Sequence, residues 1–392
     1  MSFDALKDKL PWRLQSQLGF RPKKAIFSSI TKHLPETKDN IPFNSWKKIE
    51  NGYQIGLKKP EKYLNDFRHH FFLENHELEV EPVIFASISK ARVNLTDSIP
   101  SIIDKNNCIL DGALRHPYYY NPWKKNYTFP QLSVFKLPQP KRLKGNVFSL
   151  MVDGGHNGFF HILGRSLPRF AILEKLNIPL DFFSYFIING PETPYKKDGL
   201  EKIGIPPEKI VFVNEGEQFI CDTLFFTPRI RYHQLGIDYI REQFISENDD
   251  IQNPGIYLSR KDADHRKLLE ENILEKSIAK KGIVSTSFRG KSLTEQADIF
   301  NSSKNIISVH GAGLTNILFA QKNSTLIEIL DDSFVNVGFW FLSNIAGVNY
   351  IPVIGKSIKN NTKTRNGFDD VSLQLEMIEK ISESVDTPKI RT

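Results

Sequence analysis

One group of residues that could do chemistry lies where an apolar, strand-like run gives way to a helix-like run. After Val309 come His310, Gly311, Ala312 and Gly313. Glycines let the chain turn tightly and let a ligand approach the backbone. A helix N-terminus adds unpaired N–H groups and about half a positive charge. The run therefore predicts a phosphate-binding turn with His310 as a further donor, and a structural turn with a buried histidine is the alternative.

Two arginines follow an earlier strand-like run, GIYLSR. Arg260 ends this run, and Arg266 follows in the predicted first turns of a helix. Two guanidiniums near one strand end can hold a diphosphate, because each offers several planar donors. Between them, Asp262-Ala263-Asp264 has an Asp-x-Asp spacing that also occurs at metal sites. An acidic helix N-terminus is the simpler interpretation, since the helix dipole favours it.

A third group recurs every four residues in GGHNGFFHILGRSLPRF, which reads as a helix. Asn157, His161, Arg165 and Arg169 would form one polar stripe. Pro168 should kink this helix, because it lacks an N–H. His161 is a candidate general base, since an imidazole titrates near neutrality. The alternative is that Asn157 and His161 satisfy local backbone groups.

The elements that must position these residues alternate between strand-like and helix-like segments. Short strand-like runs occupy residues 81–148, and strand and helix alternate from about residue 155. The polar stretch ENDDIQNPG predicts a linker, after which a second alternation begins. Two such alternations predict an α/β protein with two Rossmann-like domains facing a cleft, with ligands at the carboxyl ends of the strands. The predicted parts are a basic N-terminal extension (1–75), an α/β domain (76–247) and a second Rossmann-like domain (248–392), whose last helix could pack back on the first.

The charge of the 392-residue chain is unevenly distributed. The net charge is +7, and residues 1–70 hold 14 Lys and Arg against 7 Asp and Glu, whereas the rest of the chain is balanced. Residues 1–33 interleave basic and apolar side chains, which predicts either contact with an anionic membrane or a solvated arm. No recognition motif supports nucleic-acid binding. Two cysteines exclude a disulfide framework, and no apolar run reaches the roughly 18 residues that span a bilayer.

Taken together, the three groups resemble glycosyltransferase family 61, whose members include capsule, lipopolysaccharide and xylan enzymes. The matching segments are GGHNGFFHILGRSLPRF, YLSRKDADHRKLLEE, SLTEQADIFNSSKNIISVHGAGLTNILF and STLIEI, in the order of the family. The resemblance implies a GT-B-like fold and an inverting transfer of a hexose or pentose from a nucleotide sugar, such as a UDP-sugar, to a glycan acceptor. It implies neither a cofactor nor a divalent metal.

The resemblance also implies roles for individual residues. His161 would be the base, Glu328 would bind the ribose, and Asn157, Arg165 and Arg169 would line the acceptor side. The implied donor-binding residues are Arg260, Arg266, His310, Gly311, Ala312, Gly313, Asn316 and Glu328.

One position departs from the family pattern. Members often carry an acid four residues after the helix histidine, where this chain has Arg165. Asp153 could replace that acid as the base, and a degenerate binding protein is the alternative function. A dinucleotide-dependent oxidoreductase is disfavoured, since G-x-G-x-x-G is missing after a first strand. The N-terminus has no apolar segment like that of a signal peptide, so we expect a cytoplasmic protein, peripheral on the inner membrane face if the basic arm binds lipid.

Overall fold

The computed structural model describes most of the chain. The described residues are 22, 24–26, 30–60, 62–64, 72, 74, 76–110, 131, 137–156, 158–228, 230–245, 253–359 and 368–385. Most of the predicted basic arm (residues 1–21, 23 and 27–29) and Asn157 lie outside them. Within the described part, no helix is long and apolar enough to cross a membrane.

Two compact units make up the chain. Met1–Tyr53 and Val80–Tyr239 form the N-terminal unit, and Gln54–Glu79 and Ile240–Thr392 form the C-terminal unit. The predicted boundaries, at residues 75 and 247, differ from this division. Burial explains why residues 54–79 belong to the C-terminal unit. Phe72 is fully buried there, and its ring lies 5.3 Å from that of Trp340.

The strands and helices are short, and all bounds refer to the described residues. The strands are β1 Lys24–Ile26, β2 Trp46–Glu50, β3 Tyr53–Gly56, β4 Glu77–Val80, β5 Val83–Ser89, β6 Arg92–Thr96, β7 Ile99–Ile103, β8 Cys108–Leu110, β9 Lys141–Ser149, β10 Tyr185–Asn189, β11 Ile210–Val213, β12 Gln218–Phe226, β13 Asn253–Leu258, β14 Val284–Thr286, β15 Ser303–Val309, β16 Thr325–Asp331, β17 Asn349–Ile358 and β18 Asp370–Ser372. The α-helices are α1 Ile30–His33, α2 Phe159–His161, α3 Phe170–Lys175, α4 Pro194–Lys202, α5 Gln234–Phe244, α6 Glu271–Ala279, α7 Leu293–Asn301, α8 Gly338–Ala346 and α9 Leu375–Glu383.

The sheet of the N-terminal unit is mixed. Among the described residues its main strand order is β1-β8-β7-β6-β12-β9-β10-β11, with β5 pairing β12 and β2. Strands β12, β9, β10 and β11 are parallel, whereas β5, β6 and β7 run antiparallel to their neighbours. Phe226 of β12 pairs with Ser149 of β9, so the carboxyl ends of these two strands meet. The segments that follow β9 and β12 therefore leave the sheet at the same edge.

The sheet of the C-terminal unit has the order β14-β13-β15-β16-β17-β18. All neighbours are parallel except β17 and β18. The first five strands thus have the 2-1-3-4-5 order of doubly wound sheets, whose ligands bind at the switch point between strands 1 and 3. That point lies between the carboxyl ends of β13 and β15. Both faces of such a sheet are covered, and every residue of β16 is buried.

Helix boundaries in the C-terminal unit follow local signals. Ser292 begins α7 with a capping box, in which its hydroxyl accepts from the backbone N–H of Glu295 and the Glu295 carboxylate accepts in return. Gly347 ends α8 in the left-handed conformation. The last helix, α9, buries Ile378 and Ile381 in the core of the C-terminal unit. Its predicted packing on the first domain stays a prediction.

Candidate functional site

The segment after β9 is an irregular helix. The chain forms α2, then a π-helical turn over Ile162–Ser166, then a 3-10 turn over Leu167–Arg169, and only then α3. Pro168 accounts for part of this irregularity, because in a regular α-helix its ring would clash with the backbone carbonyl four residues earlier. The predicted kink is confirmed, and the predicted regular stripe is wrong. His161 and Arg165 nevertheless lie on the same side of the π-helical turn.

The imidazole of His161 is held by a guanidinium and by two glycines. Nη1 of Arg165 lies 2.9 Å from Nδ1 of His161 and donates to the backbone oxygen of Asp153 at 3.1 Å. A Cβ on Gly154 would lie 2.6 Å from Nε2 of His161, and one on Gly158 would lie 2.5 Å from its Cδ2. Neither position tolerates a side chain without moving the ring. The glycines of the GGHNG run thus make room for the imidazole.

The protonation state of His161 follows from its surroundings. Burial, and then the charges of Arg165 and Arg231, lower the pKa of His161 to about 3. The ring is therefore neutral near pH 7. An arginine only donates, so Nδ1 accepts and the ring proton is on Nε2. In this arrangement His161 presents a donor, which differs from its predicted role as the base.

Arg231 belongs to the same site and was missed by the sequence reasoning. Its guanidinium carbon lies 5.1 Å from the Phe160 ring centre and 4.3 Å from that of Tyr232, whose hydroxyl it also contacts. It follows β12, which neighbours β9 in parallel. The available signal was the same as for Arg260, an arginine shortly after the end of an apolar strand.

Two buried cations have structural partners. Arg169 is 1 % exposed, and its Nη1 donates to the backbone oxygens of Ser149 and Met151 at the end of β9. Burial and the charge of Arg165 lower the pKa of Arg169 to about 9. Arg169 therefore does not line the acceptor side as predicted. Lys196 was also missed by the sequence reasoning. Its Nζ donates to the backbone oxygens of His156, Asn189 and Pro191 and so holds the neighbouring loop.

In the C-terminal unit, Arg260 leaves β13 and lies against the turn after β15. Its Nε donates to the backbone oxygen of Arg266, and its Nη2 to that of His265, both at 3.1 Å. A Cβ on Gly311 would collide with its Nη1. Burial, and then the charge of Arg266, lower the pKa of Arg260 to about 10, so it stays charged at neutral pH.

Arg266 lies in a loop and not in the predicted helix, because α6 begins only at Glu271. Its φ is 58°, and its guanidinium carbon lies 5.8 Å from the ring centre of Phe334 and 5.5 Å from that of Phe368. Burial lowers the pKa of Arg266, and the charges of Asp331 and Glu328 act against this. Arg266 is therefore an aromatic-flanked cation near the carboxyl edge of the sheet.

His310 forms a buried network with two neighbouring strands. Its Nδ1 lies 2.5 Å from Oε1 of Glu328, and the Tyr350 hydroxyl donates to Oε2 of Glu328 at 2.6 Å. Glu328 is 0 % exposed and both its oxygens are bonded, so it does not offer the predicted ribose contact. The sequence placed it near a strand end, but β16 continues to Asp331. A carboxylate only accepts, so Nδ1 of His310 carries a proton, and in the neutral imidazole Nε2 has the lone pair.

A cavity of about 340 Å³ lies at the switch point of this sheet. Arg260, Gly311 and Gly313 line it, together with Arg289 and Asp262. Nε of Arg289 lies 3.5 Å from a carboxylate oxygen of Asp262. Asp262 was predicted to lie at a helix N-terminus, but the next helix begins only at Glu271. Among the described residues, no group of three or more His, Cys, Asp or Glu could hold a metal ion.

The comparison with known families supports one class of enzyme. A family model described as glycosyltransferase 61 matches residues 159–327. Residues 159–327 are therefore similar to glycosyltransferase family 61. The resemblance drawn from the motifs is confirmed, and the match indicates glycosyltransferase activity. No curated protein matches the chain.

Within the glycosyltransferase 61 segment, the turn after His310 continues as a 3-10 helix, Ala312–Phe319, and not as the predicted α-helix. Asn316 is buried there, and its Nδ2 donates to Oε1 of Gln296 at 3.0 Å and to the backbone oxygen of Gly313 at 2.9 Å. Asn316 thus braces the turn, and its predicted contact with the donor stays a prediction. Gly313 keeps the turn close to β13, since a Cβ there would lie 3.0 Å from Leu258.

Proposed function

We propose that the protein is an inverting glycosyltransferase that uses a nucleotide sugar, such as a UDP-sugar. Its acceptor is a cell-surface polysaccharide or a lipid-linked glycan. The observation that carries this proposal is the contact between Arg260 and Gly311 at the switch point of a doubly wound sheet. A guanidinium beside a ligand-accessible glycine turn suits a diphosphate, because it combines charge with close backbone approach.

The proposal divides the substrates between the units, as in GT-B enzymes. The C-terminal unit holds the donor diphosphate with Arg260 and Arg266, and the N-terminal unit holds the acceptor. The enzyme works in the cytoplasm, in capsule or lipopolysaccharide synthesis at the inner membrane face. The basic residues of the 1–33 segment support membrane association. Vesicles with anionic lipid should therefore retain the full chain at low salt, and failure to do so would remove this part of the proposal.

Inversion by one displacement needs a base for the acceptor hydroxyl. His310 is our choice, because Glu328 accepts its Nδ1 proton and Nε2 is left with a lone pair. The acceptor proton moves to Nε2, the acceptor oxygen bonds to the anomeric carbon, and the nucleoside diphosphate leaves with the electron pair. Arg260 and Arg266 stabilise the charge on that diphosphate. Asp153→Asn tests the other candidate base, because unchanged kcat in that variant is expected only if Asp153 is not the base.

Transfer is proposed to be metal-independent. The Asp262 carboxylate is paired with Arg289, and two arginines supply the positive charge that the diphosphate needs. Excess EDTA should leave the transfer rate unchanged, and a loss that Mg²⁺ or Mn²⁺ restores would contradict this part of the proposal.

Calorimetry with the full chain tests the donor class. UDP or a UDP-sugar should bind, and Arg260→Gln should weaken binding. A charge-assisted hydrogen bond contributes about 1.5–3 kcal/mol, which corresponds to roughly a 10- to 100-fold loss of affinity. Binding of NAD(H) alone would overturn the proposal in favour of an oxidoreductase.

A second candidate function is a glycan- or nucleotide-sugar-binding protein without turnover. Arg165 favours it, because it occupies Nδ1 of His161 at the position where relatives often carry an acid. This candidate predicts binding of UDP-sugars with no transfer or hydrolysis. Release of UDP from a UDP-sugar in the presence of an acceptor extract, absent in the His310→Asn variant, would exclude it.

A further inference from the structure

Three donor groups converge at the carboxyl edge of the sheet in the N-terminal unit. We call His161, Arg165 and Arg231 the cationic cluster. Arg165 contacts the His161 ring directly, and the charge of Arg231 acts on the same ring. The parallel pairing of β9 and β12 brings them together, because the segment after β9 carries His161 and the segment after β12 carries Arg231.

Each member of the cluster has a fixed orientation. Gly154 and Gly158 leave room for the imidazole where it lies, and Arg165 fixes its tautomer so that Nε2 carries the proton. The Arg231 guanidinium carbon lies near the ring centres of Phe160 and Tyr232, and Nη2 on its donor edge contacts the Tyr232 hydroxyl. Its Nε is buried and has no hydrogen-bond partner among the described residues. A planar donor edge of this kind matches the oxygens of a carboxylate or a phosphate.

The cluster also groups two guanidiniums around one neutral imidazole. The charges that shift the pKa of His161 belong to Arg165 and Arg231, and both disfavour its protonation. Arg165 likewise lowers the pKa of the neighbouring Arg169. Grouped guanidiniums attract negatively charged ligands, especially where water is partly excluded. His161 and Arg231 are only partly buried, so a ligand can reach both.

We infer that the cationic cluster binds an anionic group of the glycosyl acceptor, a carboxylate of an acidic sugar or a phosphate of a lipid-linked glycan. This inference rests on the proposed function. It assigns Arg231 to acceptor recognition and gives His161 the role of a hydrogen-bond donor to the anion. The diphosphate of the nucleotide sugar is the other anion that such a cluster could bind. The experiment distinguishes binding of the acceptor from binding of this diphosphate.

The experiment compares probes that differ in one group. Glucuronate, glucose and inorganic phosphate are titrated separately into the full chain, with the His161 imidazole followed by NMR in ¹⁵N-histidine-labelled protein and assigned with His161→Asn. Glucuronate and phosphate should shift the His161 Nε2 signal, and glucose should not. Arg231→Gln should weaken the binding of both anions at least tenfold, and Arg231→Lys, which keeps the charge without the fork, should weaken it less. Equal binding by wild type and Arg231→Gln, or no response to either anion, would overturn the inference.

Titration with UDP tests whether the cationic cluster binds the donor or the acceptor. UDP affinity should fall in Arg260→Gln and stay unchanged in Arg231→Gln. A parallel loss of UDP affinity in Arg231→Gln would assign the cluster to the donor and overturn the inference, while the proposed function would stand. Failure of wild type to bind UDP, with the anion response at His161 intact, would instead overturn the proposed function.

Discussion

Nη1 of Arg165 lies 2.9 Å from Nδ1 of His161, so a permanent cation donates to the nitrogen that a free imidazole would use as a base. Burial, and then the charge of Arg165, keep the ring neutral, and the contact puts its proton on Nε2. His161 is therefore not the base in the proposed inverting transfer. His310, within residues 159–327, has a carboxylate partner, Glu328.

Replacing Arg165 should change the titration of His161. In Arg165→Gln the pKa of His161 should rise from about 3 towards its ordinary 6.5, because one of the charges that lower it is removed. It should stay below 6.5, since burial is the larger cause. NMR titration of the labelled imidazole measures this. An unchanged pKa would show that Arg165 does not act on the ring.

Acid stability should depend on His161. Its folded pKa of about 3 lies below the unfolded value of 6.5, so only the unfolded state takes up this proton between those pH values. The contribution is fully present above pH 6.5 and is lost as the pH falls towards 3, at most about 1.4 kcal/mol per pH unit. Urea unfolding between pH 4.5 and 7.5 should show a shallower pH dependence in His161→Asn. A slope equal to wild type would contradict the burial of a neutral ring.

Glu328 should act through His310 as a positioning residue. Glu328→Gln removes the charge that orients the Nδ1 proton, so kcat for transfer should fall about 10- to 100-fold, within the range of general-base effects. The KM for the donor should change little. Tyr350→Phe is the matched control, because it removes a bond to Glu328 but keeps the contact between His310 and Glu328. Equal kcat values for Glu328→Gln and wild type would exclude the proposed base.

Arg169 should contribute to stability. Arg169→Ala leaves the backbone oxygens of Ser149 and Met151 without their donor and opens a cavity, so the free energy of unfolding should fall by about 2–4 kcal/mol. Arg142→Ala is the control, because Arg142 is 64 % exposed and its ion pair with Asp222 should change stability by less than about 1 kcal/mol. Denaturant unfolding measures both. Equal effects would contradict a buried structural role for Arg169.

The strands were predictable where they are buried on both faces. Their sequences are short apolar runs, as in NIISV and STLIEIL, and these became β15 and β16. The position of Arg260 was predictable for the same reason, since a charged residue that ends an apolar run lies at the sheet edge. The turn after His310 was also recognisable from its glycines, although a 3-10 helix and not an α-helix follows it.

What the sequence could not provide are the side-chain partners. Glu328 looks like a strand-end carboxylate, and only the register with β17 shows that Tyr350 occupies it. Arg266 looks helical because acidic and basic residues alternate around it, but α6 starts later. Arg231 is distant in sequence from His161, and their proximity depends on the pairing of β9 with β12. Such contacts depend on tertiary structure and produce no recognisable spacing of residues in the sequence.

The central claim is that Arg260, held against the glycine turn at the switch point, binds the diphosphate of a nucleotide sugar. Gly311→Ala tests it most directly, because the added Cβ would displace the Arg260 guanidinium without changing any charge. Gly56→Ala is the matched control, since a Cβ there meets nothing within 4 Å. By calorimetry, UDP affinity should fall at least tenfold in Gly311→Ala and stay at the wild-type value in Gly56→Ala. Wild-type affinity for UDP in a folded Gly311→Ala protein would contradict the claim.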